Sequence, residues 1–595
     1  MESNYSKFLF FTGKGGVGKT TLACATAIKL ADEGKKVLLI STDPASNLED
    51  VLAFKVGNQI KPHPELPNLF TVNINPTVAS EEYRSRAIEP LRDIATAEEI
   101  ERITEQLSGA CTTEIASFDE FSRFVTGEDE TASYDHLIFD TAPTGHTIRL
   151  LELPAAWDTF LDQNPKGASC IGPSSALKSS KERYKKVVAN LRDSYQTTFY
   201  LVARADNASL KEAAKTSQEL VELGMRNQKL LINGIFSALD KTDALALKME
   251  QIAEKELHRI PQALSTLETQ HFPLLPYNTL GIEKLRSLLN TELQKKIITQ
   301  EERITPKSNI ITLSNIKTLV DDLENNKQSG LIMTLGKGGV GKTIVATTIA
   351  TMLAKRGHKV LLTTTDPASH LNDFMGQLNE LPKSLTVERI NPKTETQNYT
   401  DKVMRQKGMD LNEEGKKLLL EDLQSPCTEE VAVFHAFSKA ISKAKHQFVV
   451  IDTAPTGHTL LLLDKTGSYH REVLRNTIQN SGKITTPYMS LQNPDFAKLI
   501  LITLPETTPM REAEELQNDL KRSGIIPYAW VINQCLSILE NIKDPILKKR
   551  ALDEEVIIQN IESKLANRTF GIPYLPEEML LPEILTLYDK NEVQA

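Results

Sequence analysis

Lys19 and Lys342 each close the same run of residues, Gly13-Lys14-Gly15-Gly16-Val17-Gly18-Lys19-Thr20 near the start of the chain and Gly336-Lys337-Gly338-Gly339-Val340-Gly341-Lys342-Thr343 past its middle. Glycines at this spacing let the backbone curl so that its N–H groups point inward at an anion. The Lys19 and Lys342 ammoniums then reach the β- and γ-phosphates of a nucleotide, and the Thr20 and Thr343 hydroxyls are placed to hold Mg²⁺. Each run follows an apolar stretch (Lys7 to Thr12, Leu331 to Leu335) and precedes a helix-forming one. That strand-loop-helix setting is where the motif has physical meaning, and a chance glycine-rich turn does not explain two full matches in it. Two nucleotide sites on one polypeptide are expected.

Acidic residues recur beside the loops. Asp43 opens Asp43-Pro44-Ala45-Ser46 and Asp366 opens Asp366-Pro367-Ala368-Ser369, each at the end of a second apolar run. Ligands collect at the carboxyl ends of parallel strands, so an acid there can orient the attacking water or hold a water of the Mg²⁺ shell. Asp140 and Asp452 open Asp140-Thr141-Ala142-Pro143-Thr144-Gly145-His146 and Asp452-Thr453-Ala454-Pro455-Thr456-Gly457-His458 at the end of a later run, where they are expected to contact the Mg²⁺ shell and sense the γ-phosphate. Either pair can supply the general base. A strand-end Asp is in isolation as often a helix N-cap, but repetition beside a phosphate loop favours function.

These elements lie in two copies. The loops and the Asp-Pro-Ala-Ser segments are 323 positions apart, whereas Cys111 and Cys427 are 316 apart, Asp140 and Asp452 are 312 apart, and Asn233 and Asn533 are 300 apart. The second copy therefore has shorter insertions between shared elements. Val/Ile/Leu-rich runs alternate with helical patterns in both halves, which indicates an α/β fold of two homologous P-loop NTPase domains, each a mostly parallel sheet with helices on both faces. The expected bounds are 1–297 and 329–595, with 298–328 as a partly ordered connector whose Asn309 to Leu323 part has helical spacing.

With 40% hydrophobic and 25% charged residues, the composition is that of a soluble globular protein. A net charge of −9 without a basic block argues against nucleic acid as a partner. No apolar run is long enough to cross a bilayer, and the first strand begins with no signal-peptide segment before it. Five cysteines without close pairs form no disulfide framework, so a cytoplasmic, reduced chain is expected.

Cys111 and Cys427 occupy equivalent places, Cys111-Thr112-Thr113-Glu114 and Cys427-Thr428-Glu429-Glu430, each ahead of a helical pattern with Phe118/Phe121 or Phe434/Phe437. A cysteine at a helix start has a depressed pKa, which favours the thiolate. If the halves are related by a pseudo-twofold axis, these thiols can converge, and Cys170, which has no counterpart, supplies a third. Three soft thiolates suit a thiophilic ion rather than Mg²⁺ or Ca²⁺. A free cysteine is more often a small buried hydrophobe, the reading given to Cys24 and Cys535.

The loop pattern K-G-G-x-G-K-T, with its extra lysines Lys14 and Lys337, resembles the ATPase family that includes nitrogenase iron protein, septum-site and partition ATPases, and the arsenical pump-driving ATPases. The duplication, the two D-T-A-P-T-G-H-T segments and Cys111, Cys170 and Cys427 together are similar to the last of these groups over essentially the whole chain. The resemblance implies two domains face to face as a pseudo-twofold dimer within one chain, with Lys14 and Lys337 reaching across to the partner's nucleotide like an arginine finger. It implies ATP and Mg²⁺ as cofactors, and Asn233 and Asn533 as adenine-reading amides, against which stands a turn-forming role. As(III) or Sb(III) would activate the ATPase through Cys111, Cys170 and Cys427, with His146, His458 and Ser425 in support. It further implies a membrane arsenite efflux permease as partner, peripheral association with the inner membrane through it, and a metallochaperone delivering As(III). A targeting factor for tail-anchored membrane proteins is the alternative within the superfamily, but its Cys-x-x-Cys and single-domain form are not matched here.

Overall fold

In the computed structural model the chain divides into two compact units, Met1–Pro306 and Lys307–Ala595. The structure describes residues 5–42, 48–89, 110–127, 129–141, 185–302, 311–325, 327–365, 380–407, 426–453, 486–576 and 580–589, with isolated positions between them. The first unit holds strands β1 (Phe8–Thr12), β2 (Val37–Ser41), β3 (Lys61–His63), β4 (Leu66–Asn73), β5 (His136–Asp140), β6 (Thr197–Arg204), β7 (Gln228–Ile235) and β8 (Glu268–Pro273). They form one sheet in the order β3-β4-β2-β5-β1-β6-β7-β8. Every pairing is parallel except that of β3 with β4.

The second unit repeats the plan with β9 (Ser314–Asn315), β10 (Gly330–Leu335), β11 (Val360–Thr364), β12 (Leu385–Arg389), β13 (Phe448–Asp452), β14 (Ala497–Thr503), β15 (Ala529–Cys535) and β16 (Thr569–Pro573). Its sheet runs β12-β11-β13-β10-β14-β15-β16-β9, parallel throughout. Without β3 in one and β9 in the other, the two orders are the same, as a duplication requires. The expected α/β class with two mostly parallel sheets is thus what the chain adopts.

Side-chain alternation explains why both faces are covered. Leu9 and Phe11 of β1 join a core with the helix Lys19–Asp32, while Phe8 and Phe10 point the other way, into a core with Phe118 and Phe121 of the helix Ala110–Thr126. Phe10 stacks on Phe139 of β5 at 4.4 Å and on Phe199 of β6 at 5.0 Å, so aromatic contacts tie the central strands together. In the second unit Ile332 packs toward the helix Lys342–Lys355, and Leu331, Met333 and Leu335 pack toward Phe437. Each such residue stabilises its unit by about 1.5–3 kcal/mol on burial, so the central strands are the rigid base on which both loops stand.

Residues 314–324, inside the stretch expected to connect the domains, contribute β9 and the helix Ile316–Glu324 to the second unit. Ile316, Leu319, Val320 and Leu323 are all buried, the one-face spacing of an amphipathic helix. The Asn315 side chain caps it by accepting from the Thr318 N–H at 3.0 Å. Arg356 donates to Asp321 and Glu324 at 2.6 Å each, and His358 meets Glu324 at 2.7 Å, fastening it to the end of the helix Lys342–Lys355. Among the described residues no helix is long and apolar enough to cross a membrane.

The loop after β15 is held by Glu554, whose carboxylate accepts from the backbone N–H groups of Leu536 at 2.7 Å and Ser537 at 2.9 Å. Burial pushes this carboxyl up from its ordinary 4.5 to about 7. The folded state therefore holds the proton more tightly than the unfolded one. The stabilisation is full below the unfolded value and is lost as pH rises through about 7. Denaturant unfolding of the full chain is expected to show the second unit losing about 3 kcal/mol from this group between pH 4.5 and 8. Subtracting the profile of Glu554→Gln isolates the loss, and parallel profiles would exclude it.

Candidate active site

β1 and β10 stand mid-sheet, and each releases its loop at its carboxyl end, between β5 and β6 in one unit and between β13 and β14 in the other. Connections diverge to opposite sides there, which opens the crevice where such sheets take ligands. Gly18 ends the first loop at φ 94° and Gly341 the second at φ 93°, in the left-handed region that glycine adopts without strain. Neither residue offers a side-chain cap, so the first N–H groups of the helices Lys19–Asp32 and Lys342–Lys355 are left for an anion. A Cβ at Gly18 would collide with the Asn233 amide, and one at Gly341 with the Asn533 amide.

Both asparagines brace the loops. The Asn233 amide donates to the Val17 carbonyl at 2.9 Å and the Asn533 amide to the Val340 carbonyl at 3.0 Å. The amide expected to read adenine thus spends its N–H₂ on the loop backbone in each unit. Val17 and Val340 are buried, anchoring the loops below, while Gly15, Gly16, Gly338 and Gly339 form their outer rim.

Lys19 and Lys342 are mostly buried. Their ammoniums donate to the carbonyls of Lys14 at 3.2 Å and Lys337 at 2.8 Å, which bends each side chain back over its own loop. The Thr20 hydroxyl donates to Asp140 Oδ2 at 2.8 Å, and Thr343 to Asp452 Oδ2 at 2.8 Å. β1 pairs with β5 so that Phe11 lies opposite Asp140, and Thr334 of β10 lies opposite Asp452, which places both acids beside the loop root. Thr141 and Thr453 lock this register by donating to the carbonyls of Phe11 at 2.8 Å and Thr334 at 2.7 Å. A hydroxyl and a carboxylate oxygen side by side are hard donors of the kind Mg²⁺ takes alongside phosphate and water.

The second-position lysines differ. Lys337 is ion-paired with Glu512 of the helix Thr507–Arg522, whereas Lys14, half-buried, has no ion pair with a described residue. Glu512 was not singled out from the sequence, although Glu212 precedes it by the same 300 positions that separate Asn233 from Asn533. Asp119 was missed too. It accepts from Arg86 and Arg183 at 2.9 Å each and fastens the Cys111 helix on two sides. At the matching place in the second unit, 316 positions on, His435 stacks on Tyr399 at 5.3 Å.

Cys111 is the second residue of the helix Ala110–Thr126 and Cys427 the second of Pro426–Lys443, so both backbones start helices as expected. Their side chains lie outside the described residues, as do Asp43, Asp366, Cys170, His146, His458 and Ser425. Cys24 and Cys535 are fully buried, and burial first, then Asp140 or Glu554, pushes their thiols up. They pack as small hydrophobes.

The family model for anion-transporting ATPases matches residues 6–294, 329–487 and 462–588. The chain is 48% identical over 579 residues to an arsenical pump-driving ATPase of Acidiphilium multivorum, covering 97% of each chain. It is also 48% identical over 576 residues to one of Escherichia coli, again covering 97% of each. ATPase GET3 of Ajellomyces dermatitidis is 29% identical over 327 residues, which is 51% of this chain and 94% of that one. Two complete phosphate loops with their strand-end acids, and full-length likeness to proteins built the same way, make the chain an ATP-hydrolysing enzyme of the anion-transporting ATPase family.

Proposed function

We propose that this chain couples ATP hydrolysis to a membrane permease that exports trivalent arsenic or antimony. The observation that carries the reading is the 48% identity, over 97% of both chains, to ATPases named for driving an arsenical pump. The cysteines at equivalent places in the two halves, Cys111 and Cys427, support it, since soft thiolates select a thiophilic ion over the hard cations of nucleotide chemistry. Cys111, Cys170 and Cys427 would bind the metalloid, with His146, His458 and Ser425 beside them, and a metallochaperone would deliver it.

Two domains, the second beginning ahead of β9, suit this scheme, with the halves facing each other as a pseudo-twofold dimer. Metalloid binding favours their closure and brings Lys14 and Lys337 to the opposing phosphates, where positive charge is worth most in the transition state. By linkage, ATP tightens metalloid binding by the factor by which metalloid tightens ATP. Thr20 with Asp140, and Thr343 with Asp452, would hold Mg²⁺, which offsets charge on the phosphates. Asp43 and Asp366 would orient water from the next strand end. The Asn233 oxygen would meet the adenine amine, as would that of Asn533, which also accepts from the Gln534 N–H at 3.0 Å.

The test is steady-state phosphate release by the purified chain with and without arsenite and antimonite. Stimulation by either ion, absent with an apolar helical peptide, is the expected outcome. A rate that responds to the peptide and not to the ions would overturn the reading.

A further inference from the structure

The loops Gly13–Thr20 and Gly336–Thr343 have the same sequence, yet their second-position lysines have different neighbours. The Lys337 ammonium meets the Glu512 carboxylate, with the Lys337 side chain 22% exposed and that of Glu512 8%. Glu512 belongs to the face of its helix that also buries Pro509, Met510, Ala513, Leu516 and Leu520. A carboxylate in such surroundings is costly unless a cation meets it. Lys337 is that cation.

The pairing has a short, stiff route. Gly336, at the root of the loop, lies so close to the Ile502 carbonyl of β14 that a Cβ there would collide with it. β14 then leads directly into the helix Thr507–Arg522. The loop and the acid are thus fixed to one strand, with little slack between them. Lys342 meanwhile bends onto the Lys337 carbonyl, so the two ammoniums of this loop are drawn to different anchors. In the first unit Glu212 sits at the matching position of the helix Asn207–Glu222, but Lys14 is not ion-paired with it.

We propose that Glu512 is a latch that keeps Lys337 inside its own unit, in competition with the nucleotide phosphate that this lysine serves. The proposal rests on the reading that Lys337 serves the nucleotide of the N-terminal site. Glu512 then acts as a positioning residue, since it touches neither nucleotide nor reacting atoms and works through Lys337. Only one of the two sites is restrained this way. The N-terminal site, which depends on Lys337, hydrolyses ATP slowly until closure draws the lysine off. The C-terminal site depends on Lys14 and lacks that restraint.

Single-turnover hydrolysis at the N-terminal site, measured without metalloid in the full chain, tests the latch. Glu512→Gln removes the charge at nearly constant volume and should raise that rate roughly tenfold, the scale of one charge-assisted hydrogen bond, while ATP affinity stays within about twofold. Glu512→Asp keeps the charge one methylene further back and should give an intermediate rise. A Lys337→Ala, Glu512→Gln double variant should be as slow as Lys337→Ala alone.

A second readout needs no variant. Brief acylation with an N-hydroxysuccinimide ester, quantified by peptide mass spectrometry, should label Lys14 several-fold faster than Lys337, because the Lys337 amine is tied to a buried carboxylate while Lys14 has no ion pair with a described residue. In Glu512→Gln the difference should vanish. If Lys337→Ala slows the N-terminal site while neither Glu512 variant speeds it, the latch is wrong and the cross-domain role stands. If Lys337→Ala leaves that site unchanged, the cross-domain reading fails first. Equal labelling of Lys14 and Lys337 in the unaltered chain overturns the latch by itself.

Discussion

Lys14→Ala will leave nucleotide binding at its own loop intact and depress hydrolysis at the C-terminal site by orders of magnitude. Lys19→Ala will do the reverse, weakening nucleotide binding at the N-terminal site. The two differ because Lys19 curls over its own loop, with its ammonium on the Lys14 carbonyl, whereas the Lys14 side chain is half-buried and outside that contact. Loss of a charge that acts only in the transition state lowers turnover more than ground-state affinity. An arginine in such a role is worth about 10³–10⁵ in rate, and a flexible lysine sets the lower end as the expectation. Nucleotide affinity and single-turnover hydrolysis, with the two sites told apart by photolabelling, measure both effects. Lower affinity at its own loop with unchanged turnover opposite would refute the face-to-face arrangement.

Replacement of Cys111, Cys170 and Cys427 by Ser together will abolish stimulation by arsenite and antimonite while basal hydrolysis survives. Serine keeps the size and removes the soft donor, so the change tests ligand chemistry rather than packing. Cys24→Ala and Cys535→Ala serve as controls. Both thiols are buried in helix and strand cores and held protonated by burial, and their loss is expected to cost stability without touching stimulation. Phosphate release against metalloid concentration decides the matter. A triple variant stimulated like the parent would place the metalloid elsewhere.

The central strands were legible because they are buried on both faces. Phe8–Thr12, His136–Asp140, Gly330–Leu335 and Phe448–Asp452 read as unbroken apolar runs and form within a residue or two of the expected limits. The sheet margins were not legible. β8, Glu-Thr-Gln-His-Phe-Pro, is exposed along most of its length, and β12 is exposed at its end. Such strands are defined by a neighbour's hydrogen bonds rather than by their own side chains. The loops and Asp140 and Asp452 were readable because local spacing fixes them. The bracing of Val17 and Val340 by Asn233 and Asn533 was hidden, since each contact joins residues about 200 positions apart. Glu512 was hidden for another reason. An acid inside a helical pattern reads as a solvated face until packing shows that it is buried.

A second half excised at Ser329 would be an incomplete domain. It would lose β9, leaving the backbone edge of β16 without its neighbour, and it would lose Ile316, Leu319, Val320 and Leu323 from the core. Four buried side chains of this kind contribute about 6–12 kcal/mol, the same order as the roughly 5–15 kcal/mol that keeps a whole domain folded. The bare strand edge would also offer unpaired N–H and C=O groups to other molecules, a route to aggregation. A half that begins at Lys307 keeps both elements. Separating the twin ATPases for study, or joining halves of different relatives into chimaeras, therefore calls for a cut ahead of β9.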